Sequence, residues 1–247
     1  MKMKKEIKKY YEATKFHFDG KEEFIPDYEW PITWTKVFYK TYPRFPTVDL
    51  ELNTTKNKNV TSLLKDRKTS REFSKNPISL STLSNILFYS AGIKLEFRED
   101  LDHARRMYPS AGARYPVELY ITINNVSDLE KGLYHYNVRD NNLEQLLKKD
   151  LRRDMQEILN SDMGTAPILF SLTGVLGRTE VKYGNNAYRF ALLEAGHIGQ
   201  NISLLAEQAN LGSCAIGGFD NNKIARLIDL VEDEVPLYIF AIGNKSK

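Results

Sequence analysis

Pro109-Ser110-Ala111-Gly112-Ala113-Arg114-Tyr115-Pro116-Val117-Glu118-Leu119-Tyr120-Ile121-Thr122-Ile123 joins two signals in one run. Val117 to Ile123 alternates and is rich in β-forming residues, which predicts a strand. Ahead of it, Ser-Ala-Gly-Ala removes side-chain bulk over four positions, so backbone amides there can approach a flat ligand closely. Arg114 would stand beside that surface as a donor to an anionic or carbonyl edge. Small residues also mark ordinary tight turns, so the loop alone decides nothing.

Working outward, Gly132 to Tyr136 reads as the antiparallel partner of that strand. Leu143 to Leu159 carries the pattern of an amphipathic helix with a basic middle, and Pro167 to Thr173 that of a buried strand. Asn186 to Asn210 predicts a long helix, in which Ala195, Gly196 and Gly199 would let another helix approach closely. Pro236 to Ile242 predicts a closing strand. Upstream, Val60 to Lys65 reads as a short helix and Ser81 to Tyr89 as another, with Ser79 or Ser81 as its N-cap. Helices and strands do not alternate one for one, so the expectation is an α+β fold rather than a doubly wound sheet.

The chain has 247 residues, 35 basic and 32 acidic, for a net charge of +3. That near-balance argues against a dedicated nucleic-acid binder. One cysteine, Cys214, excludes an internal disulfide or a multi-cysteine cluster within the chain. It has no histidine or acid at short spacing and reads as a small buried residue. His17, His103, His135 and His197 are scattered without ligand spacing, so no metal site is expected. The basic start, Met1 to Lys9, is followed by no apolar run, and Val235 to Gly243 is too short to span a bilayer. A cytoplasmic protein without membrane insertion is the expectation. Residues 1–58 mix charges, prolines and aromatics (Tyr10, Tyr11, Phe16, Phe18, Trp30, Trp34, Phe38, Tyr39) and read as an extension that packs on the body or contacts a peptide. Residues 59–247 form the main domain.

Three further stretches are candidates for chemistry. Arg67-Lys68-Thr69-Ser70-Arg71 sets three cations and two hydroxyls in one turn, suited to an anion with several acceptor oxygens or to plain solvation. Gly217-Gly218, after Leu211-Gly212-Ser213-Cys214-Ala215-Ile216, lets backbone N–H groups face a ligand, or makes a strand-to-helix turn. Lys182-Tyr183 would be an acid/base pair if both point into a cavity, and otherwise is surface. Neither a Walker A nor a GxGxxG motif occurs.

In this order, Pro109–Glu118, Gly132-Leu133-Tyr134-His135-Tyr136, Tyr188–Asn201 and Leu211–Phe219 resemble the SagB-type branch of the nitroreductase superfamily, from about Leu63 to Gly243. The resemblance implies a nitroreductase-like fold, with a mainly antiparallel central sheet flanked by helices. It also implies an intertwined homodimer holding FMN at the subunit interface. It assigns Arg67, Thr69 and Arg71 to the flavin phosphate and ring edge, with Thr69 where the family usually has serine and Lys68 in place of a common arginine. It puts Ser110, Ala111, Gly112 and Arg114 at the flavin and Gly217 and Gly218 near its N5. Gly196 and Gly199 would face neighbours at the dimer core.

In the azoline-oxidising members of that branch a Lys-Tyr pair precedes the Tyr-Arg helix, and Lys182-Tyr183 match it. The resemblance therefore implies oxidation of thiazoline or oxazoline rings in a ribosomally made precursor peptide, alongside a cyclodehydratase or another peptide-modifying enzyme. Two alternatives stand beside it. One is an NAD(P)H-dependent reductase of dehydroalanine, nitro groups or quinones; the other is a non-catalytic scaffold for a cyclising partner.

Overall fold

A computed structural model describes residues 4–15, 29–53 and 58–246. Phe16, His17 and Phe18 lie outside the described residues. The strand expected from the opening stretch is β3 (Val117–Ile123), and all seven of its residues are buried. Its alternation is used on both sides. Val117, Leu119, Ile121 and Ile123 enter one apolar cluster with Leu83, Ile86 and Leu87 of α4 (Leu80–Ala91) and Ala195, Ile198 and Ile202 of α7 (Ala187–Gln208). Tyr120 enters a second cluster with Met155 and Ile158 of α5 (Arg152–Leu159) and Ile224 and Ile228 of α8 (Asn221–Ile228). A strand buried on both faces needs helices on both faces, and the chain supplies them.

The sheet has seven strands. In spatial order they are β1 (Thr47–Asp49), β6 (Asn142–Leu147), β5 (Gly132–Asn137), β3, β7 (Ile168–Val175), β9 (Glu234–Asn244) and β8 (Leu211–Ile216). Every neighbouring pair is antiparallel. A short parallel pair joins β2 (Ile78–Ser79) to β4 (Val126–Ser127). Among the described residues the other α-helices are α1 (Lys5–Ala13), α2 (Ile32–Thr35), α3 (Val60–Asp66) and α6 (Gly177–Tyr183). Ser79 is the N-cap of α4, its hydroxyl accepting from the Thr82 amide at 3.2 Å.

Two expectations need correction. Leu143 to Leu159 is not one helix: Asn142–Leu147 is β6, and only Arg152–Leu159 is helical. The apolar spacing suits a helix, but pairing on both edges with β1 and β5 wins. The buried Glu144 fixes that register, accepting from the Tyr42 amide at 2.8 Å and from Asn137 Nδ2 at 2.9 Å. On α7, which does pack against α4, the correction concerns Gly199 alone. A Cβ at Gly199 would come within 2.1 Å of the Phe240 ring, so Gly199 admits a side chain of β9 and not another helix. Gly196 faces open space.

Between residues 36–45 and the sheet runs a buried polar network. His135, fully buried, bridges Glu144 (2.8 Å) and Glu118 (3.1 Å). Glu118 also pairs with Arg178. Burial alone would raise the Glu118 carboxyl; Arg178 and His135 overcome that and hold it at about 2. Burial opposes the charged form of His135, but its two carboxylate partners raise it. Next to it, Glu234 takes Lys40, Thr173 Oγ1 at 2.6 Å and the Tyr120 hydroxyl at 3.1 Å. The charges are matched, as burial at this depth requires.

Candidate active site

The Ser110–Pro116 loop enters β3 through a run of unusual backbone. Gly112, Ala113 and Tyr115 all have positive φ, at 57°, 54° and 48°. An aromatic residue there is strained and persists only where its surroundings over-determine it. They do so for Tyr115. Its amide donates to Ser110 Oγ at 2.8 Å, its carbonyl accepts from Arg178 at 3.0 Å, and its hydroxyl accepts from the Arg106 amide at 3.1 Å. The Arg106 guanidinium lies over its ring at 4.9 Å.

Lys182 and Tyr183 end α6 and reach this loop. A Cβ at Gly112 would meet the Tyr183 hydroxyl at 2.8 Å and Lys182 Cδ at 3.3 Å. The loop and the Lys-Tyr pair therefore form one place. Lys182 Nζ sits 3.9 Å from the centre of the Trp30 ring and 5.5 Å from that of Trp34, while Trp34 Nε1 donates to the Val181 carbonyl at 2.9 Å. Cation–π contact favours the charged amine. Burial pushes the Tyr183 phenol up, with Arg114 opposing, so it holds its proton near neutrality. A cavity of about 640 Å³ opens here, lined by Trp30, Lys94, Arg105, Tyr108, Ser110 and Lys182 among others, with no acidic residue in its described wall.

Arg114 lies in the same loop, near enough to Tyr183 to act on its charge. It is buried, and it donates to the carbonyls of Gly112 (2.9 Å), Thr33 (2.6 Å) and Lys36 (3.0 Å). The structure thus ties it to the N-terminal segment around α2, beside the loop.

The other candidates gather along the sheet's far edge. Thr69 bridges to Ser213, and the Ser70 amide donates to the Ser213 carbonyl at 2.9 Å. Among the described residues Arg67, Lys68 and Arg71 make no ion pair. Lys68, Ser70 and Arg71 line a cleft of about 390 Å³ together with Glu72 and with Lys245, which is paired with Glu207. Gly217 and Gly218 follow β8 on the same edge, exposed, with nothing within 4 Å of a Cβ on either.

These two groups are far apart in one chain. Ser213 aligns with Ile242, Ile168 and Ile123, at one end of β3, whereas the Ser110 loop precedes Val117 at the other end. Six strand residues and three strand spacings separate them, roughly 20 Å along the strands and about 14 Å across. The structure brings together Ser110, Ala111, Gly112, Arg114, Lys182 and Tyr183, and separately Arg67, Thr69 and Arg71. Gly217 and Gly218 follow Ile216, which is level with Tyr120 in the middle of β3, and so lie between the two groups along the strands.

One residue without an expected role stands at the first group. Glu194 on α7, 2% exposed, accepts through Oε1 from Ser110 Oγ (2.8 Å) and the Ala111 amide (3.2 Å), and its Oε2 has no partner among the described residues. Burial pushes its carboxyl up to about 7, although these hydrogen bonds and Arg106 oppose the shift. The sequence signal is an acid, one of two with Glu207, among the small and apolar residues of α7's inner face. Lys245 was also unassigned; nothing in its local spacing marks it. Among the described residues no group of three or more His, Cys, Asp or Glu could hold a metal ion, and no helix is long and apolar enough to cross a membrane.

Comparison with known proteins accords with this architecture. The family model described as "Nitroreductase family" matches residues 64–244. A candidate nitroreductase of Methanocaldococcus jannaschii, MJ1384, is 28% identical over 201 residues, covering 81% of this chain and 98% of that protein. The microcin B17-processing protein McbC of Escherichia coli is 26% identical over 178 residues, covering 69% of this chain and 64% of its own length. The crystal structure of a candidate nitroreductase from Anabaena variabilis superposes with a TM-score of 0.71 at 25% identity, over 83% of this chain but only 42% of that one. With the family model spanning most of the chain and the antiparallel sheet between helices in place, this protein belongs to the nitroreductase family of oxidoreductases.

Proposed function

We propose that this protein is an FMN-dependent dehydrogenase of the SagB-type branch, oxidising thiazoline or oxazoline rings in a ribosomally made precursor peptide. The observation that carries the reading is the seating of Lys182 and Tyr183 against the small-residue loop at Gly112. Likeness to a microcin-processing protein supports a peptide substrate. So does the cationic cavity beside Lys182, about 640 Å³ and walled partly by Trp30, which is large enough for several peptide atoms and an anionic group.

The residues fit FMN. Unpaired Arg67, Lys68 and Arg71 beside the Thr69 hydroxyl suit a phosphate, and the open backbone at Gly217-Gly218 suits a flat ring. Since the Ser110 loop stands at the other end of the sheet from the Thr69 turn, one flavin touching both requires two chains, which supports the interfacial homodimer. Exposed Val60 and Leu64 on α3, and Leu192 and Leu193 beside the open Gly196 on α7, offer an apolar surface for it.

When bound, FMN supplies the acceptor for a hydride from the ring carbon. Lys182 in its amine form, or Tyr183 once its own proton has passed to that amine, would take the Cα proton. The base ends protonated, and the freed electron pair becomes the ring's new double bond as the hydride leaves the neighbouring carbon. Aromatisation of the ring supplies driving force, so the chain's main task is orientation. The Trp30 face must yield Lys182 as the peptide enters.

Lys182→Ala and Tyr183→Phe are each expected to lower azoline turnover by roughly 100-fold or more while FMN stays bound. Full turnover in both would overturn the assignment. The likeness to MJ1384 favours a second reading, an NAD(P)H-driven reductase. Rapid bleaching of the flavin by NADPH without peptide would place it first.

A further inference from the structure

We infer that Glu194 is a positioning residue for the reaction proposed above, fixing the Ser110–Gly112 turn against Tyr183 through its buried carboxyl. The inference rests on that functional reading for its purpose and on geometry for its substance. One carboxylate oxygen collects both the Ser110 hydroxyl (2.8 Å) and the Ala111 amide (3.2 Å). Ser110 Oγ in turn accepts from the Tyr115 amide at 2.8 Å. A single side chain of α7 therefore holds the Ala111 amide directly and the Tyr115 amide through Ser110 Oγ, in a turn whose backbone is strained at Ala113 and Tyr115. Gly112, next in line, is the residue packed on the Tyr183 hydroxyl. Moving Glu194 moves the surface against which the candidate acid/base pair works.

The second oxygen, Oε2, is buried without a donor among the described residues. Ionisation would place part of a charge there unsatisfied, so the turn is held best while Glu194 keeps its proton. Among the described residues the groups around it are Tyr108 and Arg106 on the chain leading into the loop and Tyr183 on α6, and Arg106 is the permanent charge that favours ionisation. Burial outweighs it and leaves Glu194 titrating at about 7. If opening the turn returns the carboxyl to water, linkage requires opening to become easier as pH rises from about 4.5 to about 7.

Hydrogen–deuterium exchange of residues 109–115 in the full chain as purified, at pH 5 to 8 and corrected for intrinsic rates, tests this. Wild-type protection is expected to fall by about tenfold or more across that range, as a carboxyl with a raised pKa demands. Glu194→Gln keeps the acceptor and cannot ionise, so its protection should vary by less than about threefold. Glu194→Ala should lose about tenfold at every pH. A Glu194→Gln profile identical to wild type would overturn the inference, whether or not the alanine variant folds. Azoline turnover measured in parallel separates the two claims. A flat Glu194→Gln profile with no wild-type turnover defeats the proposed reaction and leaves the positioning role standing. Turnover with unchanged exchange in both variants defeats the positioning role alone.

Discussion

At residue scale, Gly112 shows how little freedom the site allows. With φ at 57° and the Tyr183 hydroxyl 2.8 Å from where a Cβ would stand, any side chain there is strained and displaces the candidate acid/base group. Gly112→Ala is expected to cost roughly 1–2 kcal/mol in urea unfolding, with azoline turnover falling further than stability alone explains. Gly112→Ala at wild-type activity would detach the loop from the chemistry. Glu118 makes a prediction of opposite kind. Its carboxyl is held at about 2, below the ordinary 4.5, so its stabilisation is complete above about 4.5 and is lost as pH falls towards 2. Glu118→Gln should lose stability at pH 6 by roughly 3 kcal/mol or more, because Arg178 and His135 are left buried with less compensation, and should narrow the wild-type gap between pH 6 and pH 3. Equal pH slopes in the two proteins would contradict this.

At the scale of elements, Gly199 offers a test by sign. Replacing an interior helix glycine by alanine ordinarily stabilises by up to about 1 kcal/mol. Here the new methyl would meet the Phe240 ring, and Gly199→Ala is expected to destabilise by about 1–3 kcal/mol in thermal or urea unfolding. A stabilised variant would mean that α7 does not rest on β9 as described. The same contact explains what the sequence could carry. Local pattern revealed β3, β7, β9, α4 and α7, because each has enough alternation or periodicity to declare itself. It misjudged Leu143 to Leu159, where a helical spacing of leucines was overridden by strand pairing and by a buried glutamate whose partners, Tyr42, His135 and Asn137, come from other segments. It also left β1 unseen, three residues whose strand character comes only from β6. At the site, the loop and the Lys-Tyr pair were visible as residue types. That they touch was not, because Gly112 and Tyr183 are joined only through β3, β7 and α6. Glu194 stayed hidden for the same reason.

The whole molecule sets the Thr69 turn and the Ser110 loop at two ends of one sheet, with Gly217 and Gly218 between them along the strands, and a second copy is the simplest way to reunite the two ends. Leu64→Asp with Leu193→Asp, two exposed positions on α3 and α7, is expected to yield a folded monomer that retains little FMN. Light scattering and flavin content measured on the same sample check both halves, and an FMN-saturated monomer would contradict the interfacial site. The most direct test of the function is an anaerobic one. The FMN-loaded protein is mixed with a peptide bearing a thiazoline ring, and the flavin absorbance band is followed together with the peptide's mass. The account predicts bleaching of the band as the peptide loses two hydrogens, with both events abolished in Tyr183→Phe. A band that ignores the thiazoline peptide yet bleaches at once with NADPH would contradict the dehydrogenase and establish a nicotinamide-driven reductase in its place.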